Sequence, residues 1–257
     1  MRVGALVLAG RANRGDLAGV SDAPLEALVP VGGRPMIAYV LDALRSAGAV
    51  DTVVVVGQPE PLAPVTGAGV TLVAPGATLV DNLRRGFAAL DGAERFLAVT
   101  SDVPLLTAAA VDDFVARARA AGGAFHYAVV TRENYEAAFP GSRRTWVRLR
   151  DGTFTGGNLF LAEASVARRA LDLVERFYAN RKNPLGLARL LGLGTILAFA
   201  LGRLTVPRLE ARVSAMVGAQ GRAIITPYAE IAFDVDRPED LEAAGLWLRR
   251  RGQASPA

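Results

Sequence analysis

The sequence predicts an α/β fold, a twisted and mostly parallel mixed sheet with flanking helices and a helical insertion at about 162–218. Three observations predict it. Continuous apolar runs, GALVLAG at 4–10 and TVVVVG at 52–57, have the make-up of strands buried on both faces. Between such runs apolar residues recur at helical spacing, so strand and helix alternate along the chain. Composition supplies the core: of 257 residues, 51% are hydrophobic and 21% charged, which suits one domain over 1–257.

The elements follow in order. MRVGALVLAG is too short and wrongly flanked for a signal peptide and reads as the first strand, so a cytoplasmic protein is expected. A loop, LVPVGGRPM at 28–36, leads into a helix, PMIAYVLDALRSAG, with Gly48 near its stop. After the strand at 52–57 come a short strand at Val70–Val73, a helix at Leu79–Leu90 and the strand RFLAVTSD ending at Asp102. A helix over Thr107–Ala121 and the strand AFHYAVVT complete this alternation. TWVRLRDG and GNLFLAE then read as two short strands with Gly156-Gly157 between them. A largely helical stretch runs from Ala162 to about Gly218. The chain returns to the sheet with RAIITP and IAFDVD and closes with the helix RPEDLEAAGLWLRR. Pro238 fits an early helical position there, and Glu239 and Asp240 suit the positive end of its dipole. The tail GQASPA reads as loose.

Residue usage excludes several chemistries. There is no cysteine, so disulfides and thiolate metal sites are out. His126 is the only histidine and reads as a structural mid-strand residue, so any metal rests on oxygen ligands, which favours magnesium. The net charge of +4 is carried almost wholly by arginine, Lys182 being the only lysine. Codon usage explains that bias, and arginine's fixed fork also suits phosphate oxygens. No basic block is interleaved with aromatics, which argues against a nucleic-acid partner. Trp146 and Trp247 read as packing residues.

Ligands of such sheets sit outside the carboxyl ends of the strands, where VLAGRANRGD and VTSDVP both fall. Asp102, at the end of its strand with Pro104 stiffening the turn, either holds a hard divalent ion or caps a turn or helix. Asp234 and Asp236 face the same way on an extended strand and repel unless a cation lies between them or one is solvated. The alternative is that one of them, Asp236 above all, caps the helix that begins directly after it. In LVPVGGRPM, the N–H groups of Gly32 and Gly33 and the guanidinium of Arg34 are placed to meet phosphate, or the glycines simply make a tight connection.

Taken in order, ALVLAG, ALVPVGGRPMIAYVLDAL, GATLVDNLRRGFAAL, VTSDVPLLTAAAVDDF, GGNLFL and FDVDRPEDLEAA resemble the nucleotidyltransferases of GT-A-like, Rossmann-like fold, especially the MobA-like NTP transferases. The resemblance spans nearly the whole chain. It implies an enzyme that joins an NTP to a phosphorylated small-molecule acceptor and releases pyrophosphate, with Mg2+. It further implies that Asp102 and Asp236 are metal ligands with Asp234 in support, and that the nucleotide lies over Leu8, Ala9 and Gly10 with its base toward Asp81 and Asn82. Asn158 would face the acceptor. The residues fit that chemistry, because attack of one phosphate on another needs positioning and positive charge rather than a protein nucleophile.

Two segments depart from the family pattern. The family's glycine-rich phosphate loop is here the longer VLAGRANRGDLAG, which keeps Gly10, offsets Arg11 and Arg14, and reads as a mobile loop. Glu26 lies where a phosphate-contacting lysine is expected, and repels a triphosphate unless it holds a second ion or a basic group. On the transferase reading Arg11 or Arg14 replaces that lysine, Arg11, Arg14 and Arg34 contact the phosphates, and Lys182 folds over the cleft to restore charge. The alternatives are a GT-A-type glycosyltransferase using a nucleotide sugar, and a non-catalytic nucleotide-binding relative. The second departure is the almost uncharged run Leu190–Gly202, too short to span a bilayer, which takes about 20 residues. It reads as a buried helix pair or a homodimer interface, or else as an amphipathic lid whose flanking arginines suit a membrane surface or a lipid-linked phosphate contacted through 185–204.

Overall fold

In the computed structural model, which describes residues 2–180 and 190–252, the alternation becomes a series of strands and helices. The chain runs β1 (Val3–Leu8), β2 (Pro30–Val31), β3 (Arg34–Pro35), α1 (Met36–Ser46), β4 (Thr52–Val56), α2 (Pro59–Thr66), β5 (Val70–Val73) and α3 (Leu79–Ala89). It continues with β6 (Arg95–Thr100), α4 (Ala108–Ala121), β7 (Phe125–Thr131), α5 (Arg132–Ala138), β8 (Val147–Leu149) and β9 (Gly152–Glu163). The helical stretch holds α6 (Ala164–Arg169), α7 (Leu171–Asn180), α8 (Leu193–Ala200) and α9 (Val206–Val217), and β10 (Gly221–Ile225) and α10 (Pro238–Arg250) follow.

Eight strands form one sheet in the order β10-β7-β9-β6-β1-β4-β5, with β8 paired to β9. β1 is parallel to both β4 and β6, β4 to β5, and β10 to β7, while β9 runs antiparallel between β6 and β7. Because β9 is reversed, its amino-terminal half lies beside the carboxyl ends of β6 and β7. That single reversal brings Asn158 next to the end of β6, where Val99 pairs with Leu159.

Burial follows the pattern of the sequence. Val53, Val54, Val55 and Val56 of β4 are buried in succession, as a strand covered on both faces requires. Val3, Ala5 and Val7 pack with Ile37, Leu41 and Leu44 of α1 and with Phe114 of α4 on one face. On the other, Leu6 and Phe96 pack with Leu83 and Phe87 of α3 and Val166 of α6. Phe87 and Phe96 stack there with ring centroids 4.4 Å apart. His126 is fully buried in β7, its Nε2 2.9 Å from the Gly122 carbonyl oxygen.

Three sequence expectations are corrected, and at Gly32-Gly33 the tight-connection reading is met. Gly156-Gly157 does not separate two strands but lies inside the continuous β9, at a register irregularity against β7. Space explains both glycines: a Cβ at 156 would collide with the Tyr127 hydroxyl, and one at 157 would lie 2.7 Å from Ile231. IAFDVD is not a strand. Ala229–Ala232 forms a 3-10 turn and the residues after it run as irregular backbone into α10, because Val235 hydrogen-bonds to the end of β6 instead of joining an edge. Gly32 and Gly33, with φ of 56° and 84°, form the two-residue turn of the β2–β3 hairpin, which demands left-handed backbone at both positions. Finally, α8 is not a buried helix: Leu193 is 82% and Leu197 61% exposed, and only Ala198 is buried. Among the described residues no helix is long and apolar enough to cross a membrane.

Candidate active site

The turns that follow β1, β4 and β5 are tied to one another at the carboxyl edge of the sheet. Ala9 donates to the Val56 carbonyl at 2.9 Å, and Gly57 donates to that of Val73 at 3.0 Å. Asn82, in the first turn of α3, accepts from the Gly76 N–H at 2.6 Å and so fixes the turn after β5. Asp81 beside it receives its helix-start geometry from Thr78, whose hydroxyl accepts from the Asp81 N–H at 3.1 Å, and it pairs with Arg84 at 3.0 Å. Leu8, Ala9, Gly10, Asp81 and Asn82 are thereby brought together. A Cβ at Gly10 would stand 3.6 Å from Pro75 and 3.9 Å from Asn82, which are ordinary contacts. The protein's own packing therefore leaves room at Gly10 that it does not fill.

The irregular loop after Gly10 is held in place by the chain itself. Ala12 bridges to Leu25, Asn13 donates to Pro24 O at 3.1 Å, and Glu26 donates to Arg11 O at 3.1 Å. The Asn13 amide donates to Ser21 O at 2.8 Å, and Leu17 is buried beneath the 3-10 turn Asp16–Gly19. This small ladder ties the loop back to residues 21–26. It also answers the charge at position 26: Glu26 is buried, and Arg11 Nη1 lies 3.1 Å from its carboxylate. Burial pushes the Glu26 carboxyl up from its ordinary value, and the Arg11 guanidinium opposes that rise. Arg14 is exposed and makes no ion pair among the described residues.

The carboxylates meet at the end of β6. Val235 donates to the Asp102 carbonyl oxygen at 2.8 Å, which brings Asp234 and Asp236 alongside Asp102. Asp102 Oδ1 is buried without a hydrogen-bond partner among the described residues. Its pKa is pushed up to about 6, first by burial and then by the charges of Asp234 and Asp236. Asp236 is likewise raised by burial and by Asp234, while Arg11 Nη1, 3.7 Å away, pulls it down.

Neither carboxylate is used as a cap. α4 is capped by Thr107, whose hydroxyl accepts from the Ala110 N–H at 3.2 Å. At α10 it is Asp240 whose carboxylate accepts from the N–H groups of Asp236, at 3.4 Å, and Arg237, at 3.1 Å. The capping readings of Asp102 and Asp236 thus fall. What remains is a partnerless buried carboxylate oxygen facing two more carboxylates, a donor set of the hard-oxygen kind that fits a magnesium ion. Among the described residues no group of three or more His, Cys, Asp or Glu side chains closes around an ion. Two carboxylates suffice for an ion whose remaining positions go to phosphate and water.

Beyond the carboxylates lies a polar network that the sequence did not reveal. Arg144 pairs with Asp234, donates from Nε to Thr155 Oγ1 at 3.1 Å and from Nη2 to Gly156 O at 3.2 Å. The Asn158 amide donates to Ile231 O at 3.2 Å and to Asp234 Oδ1 at 3.4 Å. Asn158 and Asp234 are therefore joined, with Arg144 as a third member. The only trace of Arg144 in the sequence is the pair Arg143-Arg144 ahead of β8, one arginine dipeptide among several. Arg34 is engaged elsewhere, 2.7 Å from Asp42 of α1 and 4.7 Å over the Tyr39 ring. Lys182 lies outside the described residues.

Comparison with known proteins sets this geometry in a group. The MobA-like NTP transferase domain matches residues 5–193. A hypothetical transferase structure from Thermus thermophilus is 42% identical with a TM-score of 0.83, over 94% of this chain and all of that one. The structure of CMP:2-keto-3-deoxy-manno-octonic acid synthetase complexed with CTP is similar in fold, with a TM-score of 0.62 at 13% identity, over 98% of this chain and 100% of that one. So is 4-diphosphocytidyl-2C-methyl-D-erythritol synthase from Anaerococcus prevotii, with a TM-score of 0.61 at 11% identity, over 97% of this chain and 96% of that one. No curated protein sequence matches the chain.

Proposed function

This chain belongs to the MobA-like NTP transferase domain family, and on that premise we propose that it joins an NTP to a phosphorylated small-molecule acceptor, with Mg2+ held by Asp102 and Asp236. The observation that carries the proposal is the buried, partnerless Oδ1 of Asp102 beside Asp234 and Asp236, none of them used to cap a helix. An oxyanion of the acceptor phosphate attacks the α-phosphorus, the bond from that phosphorus to the bridging oxygen breaks, and pyrophosphate leaves with the electron pair. The ion, when bound, offsets the negative charge of the phosphates.

The chain's own residues supply the rest. Leu8, Ala9 and Gly10 receive the nucleotide, and the space left at Gly10 lets a ligand approach the backbone closely. Asp81 and Asn82 stand on the base side. Arg11, held by Glu26 and directed toward Asp236, is the phosphate contact closest to the carboxylates. Arg14 and Arg34 are further phosphate contacts on this reading, Arg34 only if it leaves Asp42. Asn158 faces the acceptor, and Arg144 keeps Asp234 from being a free anion there. Lys182 is proposed, from its place in the sequence, to add charge over the phosphates.

A thermal-shift series of the four NTPs, each with and without Mg2+, tests the proposal by mass action. A Mg2+-dependent shift with one NTP, lost in Asp102→Ala, supports it, and pyrophosphate release then identifies acceptors. A shift only with a nucleotide sugar favours glycosyl transfer, and no shift with any nucleotide removes the catalytic reading. For 185–204, of which 185–189 lie outside the described residues, we propose a contact outside the chain, since Leu193, Leu197 and Phe199 of α8 and Leu201 after it are exposed. Sedimentation velocity and vesicle flotation separate a homodimer from a lipid surface.

A further inference from the structure

Resting on the transferase reading, we infer that the apolar cleft between the β7–β9–β10 face of the sheet and α9 is the binding site for the hydrocarbon chain of an amphiphilic phosphate acceptor. The cleft has a volume of about 640 Å3 and is walled by Phe125, Tyr127 and Phe160 on the sheet, Phe177 of α7, and Leu209 and Val213 of α9. A second cavity of about 640 Å3 shares five of those residues and continues along α6 and α7. Both fall in the size range of small-molecule sites, which are lined mainly by apolar side chains with a few placed polar groups.

Polar groups lie at both ends, the Arg222–Glu210 ion pair near the start of β10 and Thr155 beside the candidate acceptor site. Thr155 and Gly156 line the cleft, and the same two residues hold the Arg144 guanidinium that pairs with Asp234. From there the cleft runs across the sheet face to Phe125 and Gly221, at the opposite ends of β7 and β10. The occupant is narrow and apolar along the middle of the cleft, with its phosphate at the Asn158 end, where the transferase reading puts the acceptor. Walls on two opposing sides admit a chain but not the surface of a second folded copy. Tyr127 and Val147 at the opening are 44% and 40% exposed, apolar surface that a bound chain would remove from water.

The test titrates n-alkyl phosphates from methyl to dodecyl, below their micelle concentrations, into the full chain with Mg2+ and the NTP that shifts its melting point. The expected result is a Kd that falls about three- to fourfold per methylene until the cleft is full, as the transfer of methylenes from water gives. Val213→Trp, which projects into both cavities, should flatten the series while the NTP-induced shift persists, and Leu209→Phe should shorten the longest chain accepted. A flat series in the unaltered chain, with the NTP shift intact, overturns this inference and leaves the transferase reading standing. Absence of any NTP shift overturns both. Chain-length dependence seen only with phosphates embedded in phosphatidylcholine vesicles assigns the effect to the exposed α8 surface and overturns the cleft assignment. So does a dimer that Val213→Trp dissociates.

Discussion

The backbone N–H of Val235 donates to the carbonyl oxygen of Asp102 at 2.8 Å, joining the segment before the last helix to the end of β6. This bond brings Asp234 and Asp236 near Asp102, whose carboxyl is pushed up first by burial and then by their charges. Burial of Asp102 Oδ1 without a hydrogen-bond partner is a liability to stability.

The first prediction concerns that liability. Burial pushes the Asp102 carboxyl up to about 6 in the fold against about 3.9 unfolded, so the folded state binds the extra proton between those values. Stability from this group is present below pH 4 and is lost as pH rises through 6. Asp102→Asn should therefore raise stability at pH 8 by about 1–3 kcal/mol, with the gain vanishing toward pH 4, while turnover is lost. Melting curves of both proteins at pH 4.5 and 8 check this, and equal differences at the two pH values would contradict it.

His126 has the opposite sign. Burial holds its imidazole below the ordinary histidine value, so the unfolded chain takes up a proton that the fold resists. Its contribution falls as pH drops below about 6.5. The melting-point advantage of the unaltered chain over His126→Gln should narrow between pH 7.5 and 5.5. An advantage that widens would show that the buried ring is charged.

Arg11 has a structural and a chemical role that can be separated. Arg11→Ala leaves Glu26 buried without its partner, at a cost of about 1 kcal/mol given that Arg11 is 68% exposed. Adding Glu26→Gln should restore the melting point but not kcat, which should stay down by about 100-fold, on the scale of a lost charge at a transition state. Recovery of kcat in the double variant would reduce Arg11 to a partner of Glu26.

Arg144→Ala removes the partner of Asp234 and two polar contacts at β9. The expected loss is about 2 kcal/mol, less than for a fully buried pair. The acceptor KM should rise while the NTP affinity stays within about twofold, and the opposite split would move Arg144 to the nucleotide side.

Gly10→Ala separates packing from ligand approach. The contacts a Cβ would make with the protein are ordinary, so stability should change by less than about 1 kcal/mol. The NTP KM should rise by about tenfold or more if the backbone there touches the nucleotide. An unchanged KM would mean that the nucleotide does not approach Gly10.

The sequence by itself determined the alternation. The valines of β4, the strand ending at Asp102 and the helix opening at Pro238 all announce themselves through periods of 2 and 3.6 residues or through local caps. Those signals depend only on near neighbours, which is why the strands of the parallel sheet were legible. The order of motifs likewise marked Asp102, Asp236, Gly10, Asn82 and Asn158. Only the tertiary structure decided what each charge faces. Arg11 answers Glu26 and reaches Asp236, Arg144 answers Asp234 from ninety residues away, and Arg34 turns aside to Asp42. It also decided that Gly156 and Gly157 yield space to Tyr127 and Ile231 rather than make a turn, and that a cleft opens beside them. Partnerships of this kind are set by the close approach of segments remote in sequence, and no local periodicity records them.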